Sequence, residues 1–162
     1  MLECWRRAHG KLFLAALAVL STALPAVSKN KECLVLLRGA KTLTLQAEIA
    51  DTEALRETGL MNRKKMAKDR GMLFVFDTLT TSPFWMKDTL LPLTILFIDA
   101  GQKIVGIQDM APLDQKTLHY PDKAYLYALE INQGVASRIG LKKGDFVTIL
   151  GNLKRSDGSS RK

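Results

Sequence analysis

Apolar and polar side chains alternate from Thr42 to Ile49 with a period of two, which is typical of a β-strand that has one buried face. The alternation places four apolar side chains on the same face: Leu43, Leu45, Ala47 and Ile49. Two denser apolar runs, residues 72–76 and 94–99, predict two further strands. In this interpretation the core of the fold begins at Thr42.

The second half of the chain predicts three more strands. Asp99–Gln102 has the composition of a turn, so residues 103–108 should pair with residues 94–99 as a hairpin. A strand over residues 125–130 ends near Glu130, and a tight turn leads into a last strand over residues 146–150. Residues 111–123 predict a long surface loop, and loops of this length often carry function.

Two short helices complete the predicted elements. Asp51 or Thr52 can cap a helix that passes through Arg56, and Gly59 is placed to end it in a left-handed conformation. A second helix is expected from residue 133 to residue 139, before Gly140.

Six or so short strands with two short helices indicate a mainly β fold, a single-domain sandwich or barrel. Six residues of these strands are predicted to lie in its core: Phe74, Phe76, Ile95, Phe97, Leu129 and Val147.

The first 28 residues have the pattern of a secretory signal peptide. Basic residues come first, residues 12–24 are nearly all apolar, and small residues precede a cleavage site near Ser28. The apolar run is shorter than the roughly 20 residues that a membrane-spanning helix needs. We therefore expect residues 29–153 to be a periplasmic or secreted domain, followed by a disordered basic tail over residues 154–162.

The chain carries a net charge of +8. Removing residues 1–28 takes away three basic residues and one acidic residue, which leaves +6. No DNA-binding spacing or interleaving of aromatic and basic residues accompanies this charge, so no nucleic-acid partner is expected. Contact with an anionic envelope surface is the expected use of the charge.

Residues that could bind a metal or act as nucleophiles are few after residue 28. Cys33 and His119 are the single cysteine and histidine there, so neither an internal disulfide nor a zinc site is expected, and we predict no cofactor. A methionine site for Cu(I) is the alternative to core filling by the five methionines at 61, 66, 72, 86 and 110.

The segment from Phe84 to Phe97 combines an indole, a thioether and both signs of charge between apolar blocks. Five residues are predicted to converge on one pocket for a small polar molecule, either anionic or sugar-like: Arg63, Trp85, Lys87, Asp88 and Glu130. In that pocket Arg63 would clamp an anion and Trp85 would stack on the ligand. The alternatives are that Trp85 fills the core and that the charges form ion pairs that hold the Gly59–Arg63 loop.

Spaced motifs also resemble a known family. They are G-L-M-x-R at 59–63, R-G-M-L-F-V-F at 70–76, F-W-M-K-D-T at 84–89, P-L-x-I-L-F at 92–97 and L-E-x-x-x-G at 129–134. In this order they resemble the family called domain of unknown function 192, over about residues 40 to 150. The resemblance implies a compact, mainly β, jelly-roll-like fold that is often exported, and no established activity. The chain departs from the family pattern at Thr94, where Asp is usual, and at Asp88, where Asn is common.

Three functions remain open from the sequence. The first is an exported domain that binds a small ligand without catalysis. The second is an acid/base hydrolase that uses Asp88 and Glu130, one of which would need a raised pKa. The third is a structural module of the envelope.

Overall fold

The computed structural model of the chain describes residues 31–151 and residue 153. Its strands, in chain order, are β1 (Glu32–Arg38), β2 (Thr42–Ala50), β3 (Arg70–Thr80), β4 (Leu93–Ile98), β5 (Ile104–Met110), β6 (Tyr125–Asn132) and β7 (Val147–Leu150). The helices are α1 (Glu53–Thr58) and α2 (Val135–Arg138). The predicted signal peptide and basic tail lie outside the described residues.

The seven strands form one sheet in the order β5-β4-β6-β3-β2-β1-β7. Among the neighbouring strands of this sheet only β2 and β3 are parallel, and α1 lies in the connection between them. The two edges of the sheet approach each other where Lys103 pairs with Phe146, and the Val147 N–H donates to the Gln102 carbonyl at 2.9 Å. The sheet is therefore curled into a half-barrel, which confirms the predicted mainly β fold with two short helices.

Strand β1 is the element that the sequence analysis missed. It pairs with β2 on one side and with β7 on the other, so it lies within the sheet. Its side chains alternate as a strand requires, with Val35 and Leu37 buried and Leu34 exposed, but Leu at the exposed positions hides this period in the sequence. A Cβ atom at Gly39, in the turn after β1, would lie 2.5 Å from the Ile139 carbonyl oxygen, so the turn requires glycine.

Two apolar layers lie on the two faces of the sheet. The inner layer receives side chains from all seven strands and from α2, among them Leu73, Leu129 and Val147. The outer layer includes Phe74, Ile95 and Phe97, and it is covered by residues such as Leu60, Met86 and Leu91 from the connecting segments. Five of the six predicted core residues are buried, and Phe76 is the exception.

Phe76 is only partly buried, because it lies at the border of the outer layer. Its ring packs edge-on against Tyr125 at 5.3 Å between centroids, and the Arg56 guanidinium lies 5.2 Å from the ring centroid. The cation–π contact with Arg56 therefore stabilises the Phe76 ring at this border, although the ring is only partly buried.

The first helix follows its predicted caps. The Leu55 N–H donates to the Thr52 hydroxyl at 3.3 Å, and the Gly59 N–H donates to the Leu55 carbonyl at 2.9 Å. Gly59 has the predicted positive φ of 47°, but its ψ of −132° lies outside the left-handed helical region. Within residues 31–151 and 153, no helix is long and apolar enough to cross a membrane.

Candidate functional site

Two acidic residues lie on the outer face of the sheet, one on each side of Met72. Glu130 on β6 is directly opposite Met72 on β3, and Met72 is in turn opposite Glu48 on β2. Residues that face each other across neighbouring strands point to the same side of a sheet. The strand register therefore brings Glu48 and Glu130 to the same layer as the aromatic side chains of the outer core.

Glu130 is a buried carboxyl group, with 5 % of its surface exposed. Its Oε2 atom has no hydrogen-bond partner within the described part of the chain. Burial raises the pKa of Glu130 to about 8, and the positive charge of Arg63 opposes this effect. The carboxyl group is therefore mostly protonated at pH 7, so that it can donate a hydrogen bond as well as accept one.

Arg63 reaches this region from the loop after α1. Its guanidinium donates to both carboxylate oxygens of Glu48, with 2.8 Å between Nη2 and Oε2, and this hydrogen bonding raises the pKa of Arg63. The loop is also held by a bond of 2.8 Å from the Asn62 N–H to the Asp88 carbonyl. An ion pair does hold the Gly59–Arg63 loop to the sheet, as one alternative anticipated, but its acidic member is Glu48.

Trp85 lies at the surface, with 47 % of the residue exposed, so the interpretation of Trp85 as a core residue is wrong. Its neighbours Phe84 and Met86 point inward instead. Met86 is fully buried, and the Phe84 ring packs edge-on against Phe74 at 4.9 Å between centroids. The Lys87 ammonium lies 5.4 Å from the centroid of the indole, in the geometry of a cation–π contact.

A narrow cleft of about 30 Å³ joins Trp85 to Glu130. Its other lining residues are Arg56, Glu57, Thr58, Gly59, Leu60, Met61, Phe74, Phe84 and Thr89. A volume of this size is enough for one water molecule or one hydroxyl group. The cleft therefore has a protonated carboxyl group and aromatic rings in its walls, with a half-exposed indole at the surface.

Lys87 and Asp88 do not line this cleft. Asp88 has a positive φ of 52°, a backbone conformation that Asn and Asp adopt more readily than most residues. The backbone thus accounts for an acidic residue where the family commonly has Asn. Of the five predicted site residues, only Trp85 and Glu130 line the cleft. Arg63 influences Glu130 through its charge without lining the cleft, Lys87 contacts the indole, and the Asp88 carboxylate lies outside the lining.

Thr94, which stands where the resemblance implies Asp, is hydrogen-bonded to the carboxylate of Asp109. Its hydroxyl, buried with the residue at 1 % exposure, donates to Asp109 Oδ1 at 2.5 Å. Thr94 and Asp109 face each other in the β4–β5 hairpin. The sequence predicted this hairpin but not the residue-by-residue pairing of its strands. That pairing places Asp109 opposite Thr94.

Cys33 and His119 are both buried. Burial, with a smaller contribution from Glu32, raises the pKa of the Cys33 thiol to about 11, so it is not a thiolate at neutral pH. His119 exchanges two backbone hydrogen bonds with Phe84, of 3.0 and 2.8 Å, and its Nδ1 atom lies 3.3 Å from Gln108 Oε1. This histidine holds the 111–123 loop against the Phe84 segment.

The described residues contain no group of three or more His, Cys, Asp or Glu side chains that could hold a metal ion. Three of the methionines, Met72, Met86 and Met110, are buried in the outer apolar layer. These positions are those of core-filling thioethers.

Comparison with known proteins gives one family and two solved structures. The model of the family described as DUF192, Uncharacterized ACR, matches residues 35–149. A crystal structure from Sinorhizobium meliloti 1021, of a protein provisionally described as a transcription regulator, is 35% identical with a TM-score of 0.71, covering 75% of this chain and 95% of that one. A protein of unknown function from Novosphingobium aromaticivorans DSM 12444 is 30% identical with a TM-score of 0.70, covering 78% and 91%. No curated protein matches the chain.

Proposed function

The chain belongs to the DUF192 family, and we propose that it is an exported domain that binds a small, neutral, sugar-like molecule at the cleft between Trp85 and Glu130. The observation that carries the proposal is the Glu130 Oε2 atom, which is buried without a hydrogen-bond partner among residues 31–151 and 153. Leaving such an atom unsatisfied costs about 1–3 kcal/mol. A ligand hydroxyl group that entered the cleft would remove this cost.

The exposed indole supports a sugar-like ligand. Trp85 presents a large flat apolar surface next to the cleft, and the apolar face of a sugar ring packs well on such a surface. Lys87 lies over the indole, so a stacked ligand either uses the other face of the ring or displaces the Lys87 ammonium.

A neutral ligand fits the charges better than an anionic one. The guanidinium of Arg63 already donates two hydrogen bonds to Glu48, so an anion would have to compete with that carboxylate. Glu130, protonated at pH 7, both donates and accepts, which matches a hydroxyl group. The anion clamp predicted for Arg63 would require the pair with Glu48 to open.

The proposal that the domain is exported rests on residues 1–28, whose basic, apolar and small-residue zones occur in the order of a signal peptide. In the periplasm or outside the cell, the positive charge of the chain would favour contact with anionic envelope surfaces.

Thermal unfolding in the presence of neutral sugars and polyols tests the proposed ligand class, because a molecule that binds only the folded state raises the midpoint. We expect at least one neutral sugar to do so, and Trp85→Ala to weaken its binding about tenfold or more by calorimetry. Tyr120→Ala is the matched control, since Tyr120 is an equally exposed aromatic residue outside the cleft. Absence of any effect across the panel, or equal binding by the two variants, would refute the proposal.

A single observation favours acid/base catalysis as a second candidate function. A carboxyl group with a pKa of about 8 is suited to proton transfer near neutral pH. Asp88, the second carboxylate of the hydrolase hypothesis, does not line the cleft, so Glu130 would have to act without it. Turnover of the bound sugar that is lost in Glu130→Gln would favour the enzyme, and binding without turnover favours the binding domain.

A further inference from the structure

A second and larger cavity, of about 270 Å³, opens on the face of the sheet opposite to Glu130. Ile95 on β4 faces Glu130, so its neighbour Thr94 points to the other side, into this cavity. The lining residues are Thr94, Ile107, Asp109, Gly134, Ala136, Ser137 and Leu141, and none of them lines the Glu130 cleft. The volume is close to the lower end of the roughly 300–1,000 Å³ that is usual for small-molecule sites.

The polar atoms in this cavity are arranged as hydrogen-bond acceptors. The Thr94 hydroxyl donates to Asp109 Oδ1 at 2.5 Å, and the Ser137 hydroxyl donates to the Gly134 carbonyl at 3.0 Å. A hydroxyl group has one proton and two lone pairs, so each oxygen, its proton already committed, can only accept from a ligand. The Asp109 carboxylate, which is also an acceptor, completes this set.

The rest of the lining fits a short hydrocarbon chain. Ala136 and Leu141 are buried apolar residues, and Ile107 is partly buried beside them. The lining includes no Lys, Arg or His side chain, although the chain as a whole is strongly basic. The cavity is therefore a locally acidic site with one apolar wall.

We infer that this cavity binds a small primary ammonium ion that carries a short alkyl chain. An ammonium group has three N–H donors and no acceptor, which complements the oxygens of Asp109, Thr94 and Ser137. A hard metal cation fits less well, because it requires several oxygen ligands and usually more than one carboxylate, whereas Asp109 is the one acidic residue in the lining.

Titration with n-butylammonium chloride, followed through backbone amide NMR shifts, tests this inference without any mutation. We expect saturable binding in or below the millimolar range, with the largest shifts at Asp109 and in α2. Butan-1-ol, which has the same chain without the charge, and butyrate, which has the opposite charge, should give no saturable shifts there at the same concentrations.

Two variants locate the interaction. Asp109→Asn should weaken n-butylammonium binding at least about tenfold, because it replaces a charge-assisted hydrogen bond by a neutral one. Glu53→Gln, the same chemical change at an exposed residue that lines neither cavity, should leave binding unchanged. Thr94→Val, which keeps the shape but removes the hydroxyl, should weaken binding by a smaller factor.

Three results would overturn the inference: no saturable binding of n-butylammonium, equal binding of butan-1-ol, or unchanged affinity in Asp109→Asn. If Thr94→Val fails to fold, the comparison of n-butylammonium with butan-1-ol on the unaltered protein still decides the question. The sugar panel addresses the other face of the sheet, so each proposal can fail independently of the other.

Discussion

Glu130 stays protonated because burial raises its pKa. Arg63 lowers the pKa of Glu130, but it does so less than burial raises it, and the guanidinium makes its hydrogen bonds to Glu48 instead. Glu48 is therefore ion-paired with Arg63. Glu130, two strands away, is neutral, and its Oε2 atom has no hydrogen-bond partner among the described residues. This difference in partners gives Glu48 and Glu130 different roles.

The raised pKa of Glu130 predicts how stability depends on pH. Between its ordinary value of 4.5 and about 8, the folded protein holds a proton that the unfolded chain has lost, so the contribution of Glu130 to stability falls as the pH rises through this window. Within this window the free energy of unfolding should fall by up to about 1.4 kcal/mol for each pH unit. Urea unfolding at several pH values measures it, and Glu130→Gln should remove this part of the slope. An unchanged slope in the variant would assign it to other groups.

Arg63 and Lys87 were predicted to act together, and the structure separates their roles. Arg63→Ala should lower the free energy of unfolding by about 1–2 kcal/mol, because it removes the ion pair with the partly buried Glu48 carboxylate in a site that solvent partly screens. Lys87→Ala is the matched control and should cost less than about 0.5 kcal/mol, since Lys87 is exposed and its ammonium lies over the half-exposed indole of Trp85. Equal losses in denaturant unfolding would contradict the assignment.

At the scale of the elements, β4 is buried along its whole length and contributes to both apolar layers. Phe97 on this strand is fully buried in the outer layer, where it packs against Phe84 and Tyr125. Phe97→Ala should therefore cost about 3–5 kcal/mol in denaturant unfolding. Leu79→Ala, at an exposed position of β3, should cost less than about 0.5 kcal/mol. A loss of under about 1 kcal/mol for Phe97→Ala would contradict its place in the core.

The strands could be predicted from the sequence wherever their period was visible. β2 alternates between apolar and polar residues from Thr42 to Ile49. β4 begins directly after Pro92, and the turn at Asp99 separates it from β5. β1 was missed because two of its outward positions hold leucines, the exposed Leu34 and the partly exposed Leu36. α2 was predicted over residues 133–139 but has four residues, because Gly134 takes a left-handed conformation with φ of 82° as its N-cap and Ile139 is its C-cap.

The candidate site was predicted only in part, because side-chain partners across a sheet depend on register. Trp85 was identified as a possible stacking surface and Glu130 as a charged residue in an apolar segment, but Glu48 had the appearance of an ordinary outward residue of β2. Its role follows from its position beside Met72, which depends on the parallel pairing of β2 with β3. No local pattern in the sequence encodes that pairing, since α1 and a long loop separate the two strands.

For the whole molecule, the proposed export would bring the domain into contact with its proposed ligand. We expect the chain to be cleaved near Ser28, because the basic, apolar and small-residue zones have the lengths that a signal peptidase recognises. Intact-mass measurement of the protein recovered from the periplasm or the medium should give a species without residues 1–28. Recovery of a soluble protein that retains them would contradict the proposal.

The curled sheet carries the two proposed binding sites on opposite faces. The outer cleft combines the neutral carboxyl group of Glu130 with aromatic side chains, and the inner cavity combines the acceptors around Asp109 with an aliphatic wall. Because the two sets share no lining residue, the fold allows the two ligands to bind together. We expect the neutral sugar to prefer the cleft at Glu130 and the alkylammonium ion to prefer the cavity at Asp109, because the first site presents a neutral carboxyl group and the second a carboxylate.

The most direct test of the central claim is a ¹³C NMR titration of the Glu130 side-chain carboxyl, assigned through Glu130→Gln, in the free protein and with a saturating sugar from the thermal-unfolding panel. The account predicts a carboxyl that titrates near pH 8 in the free protein and whose chemical shift and pKa change when the sugar binds. Titration near pH 4.5 in the free protein, or a carboxyl signal that the bound sugar leaves unchanged, would contradict it.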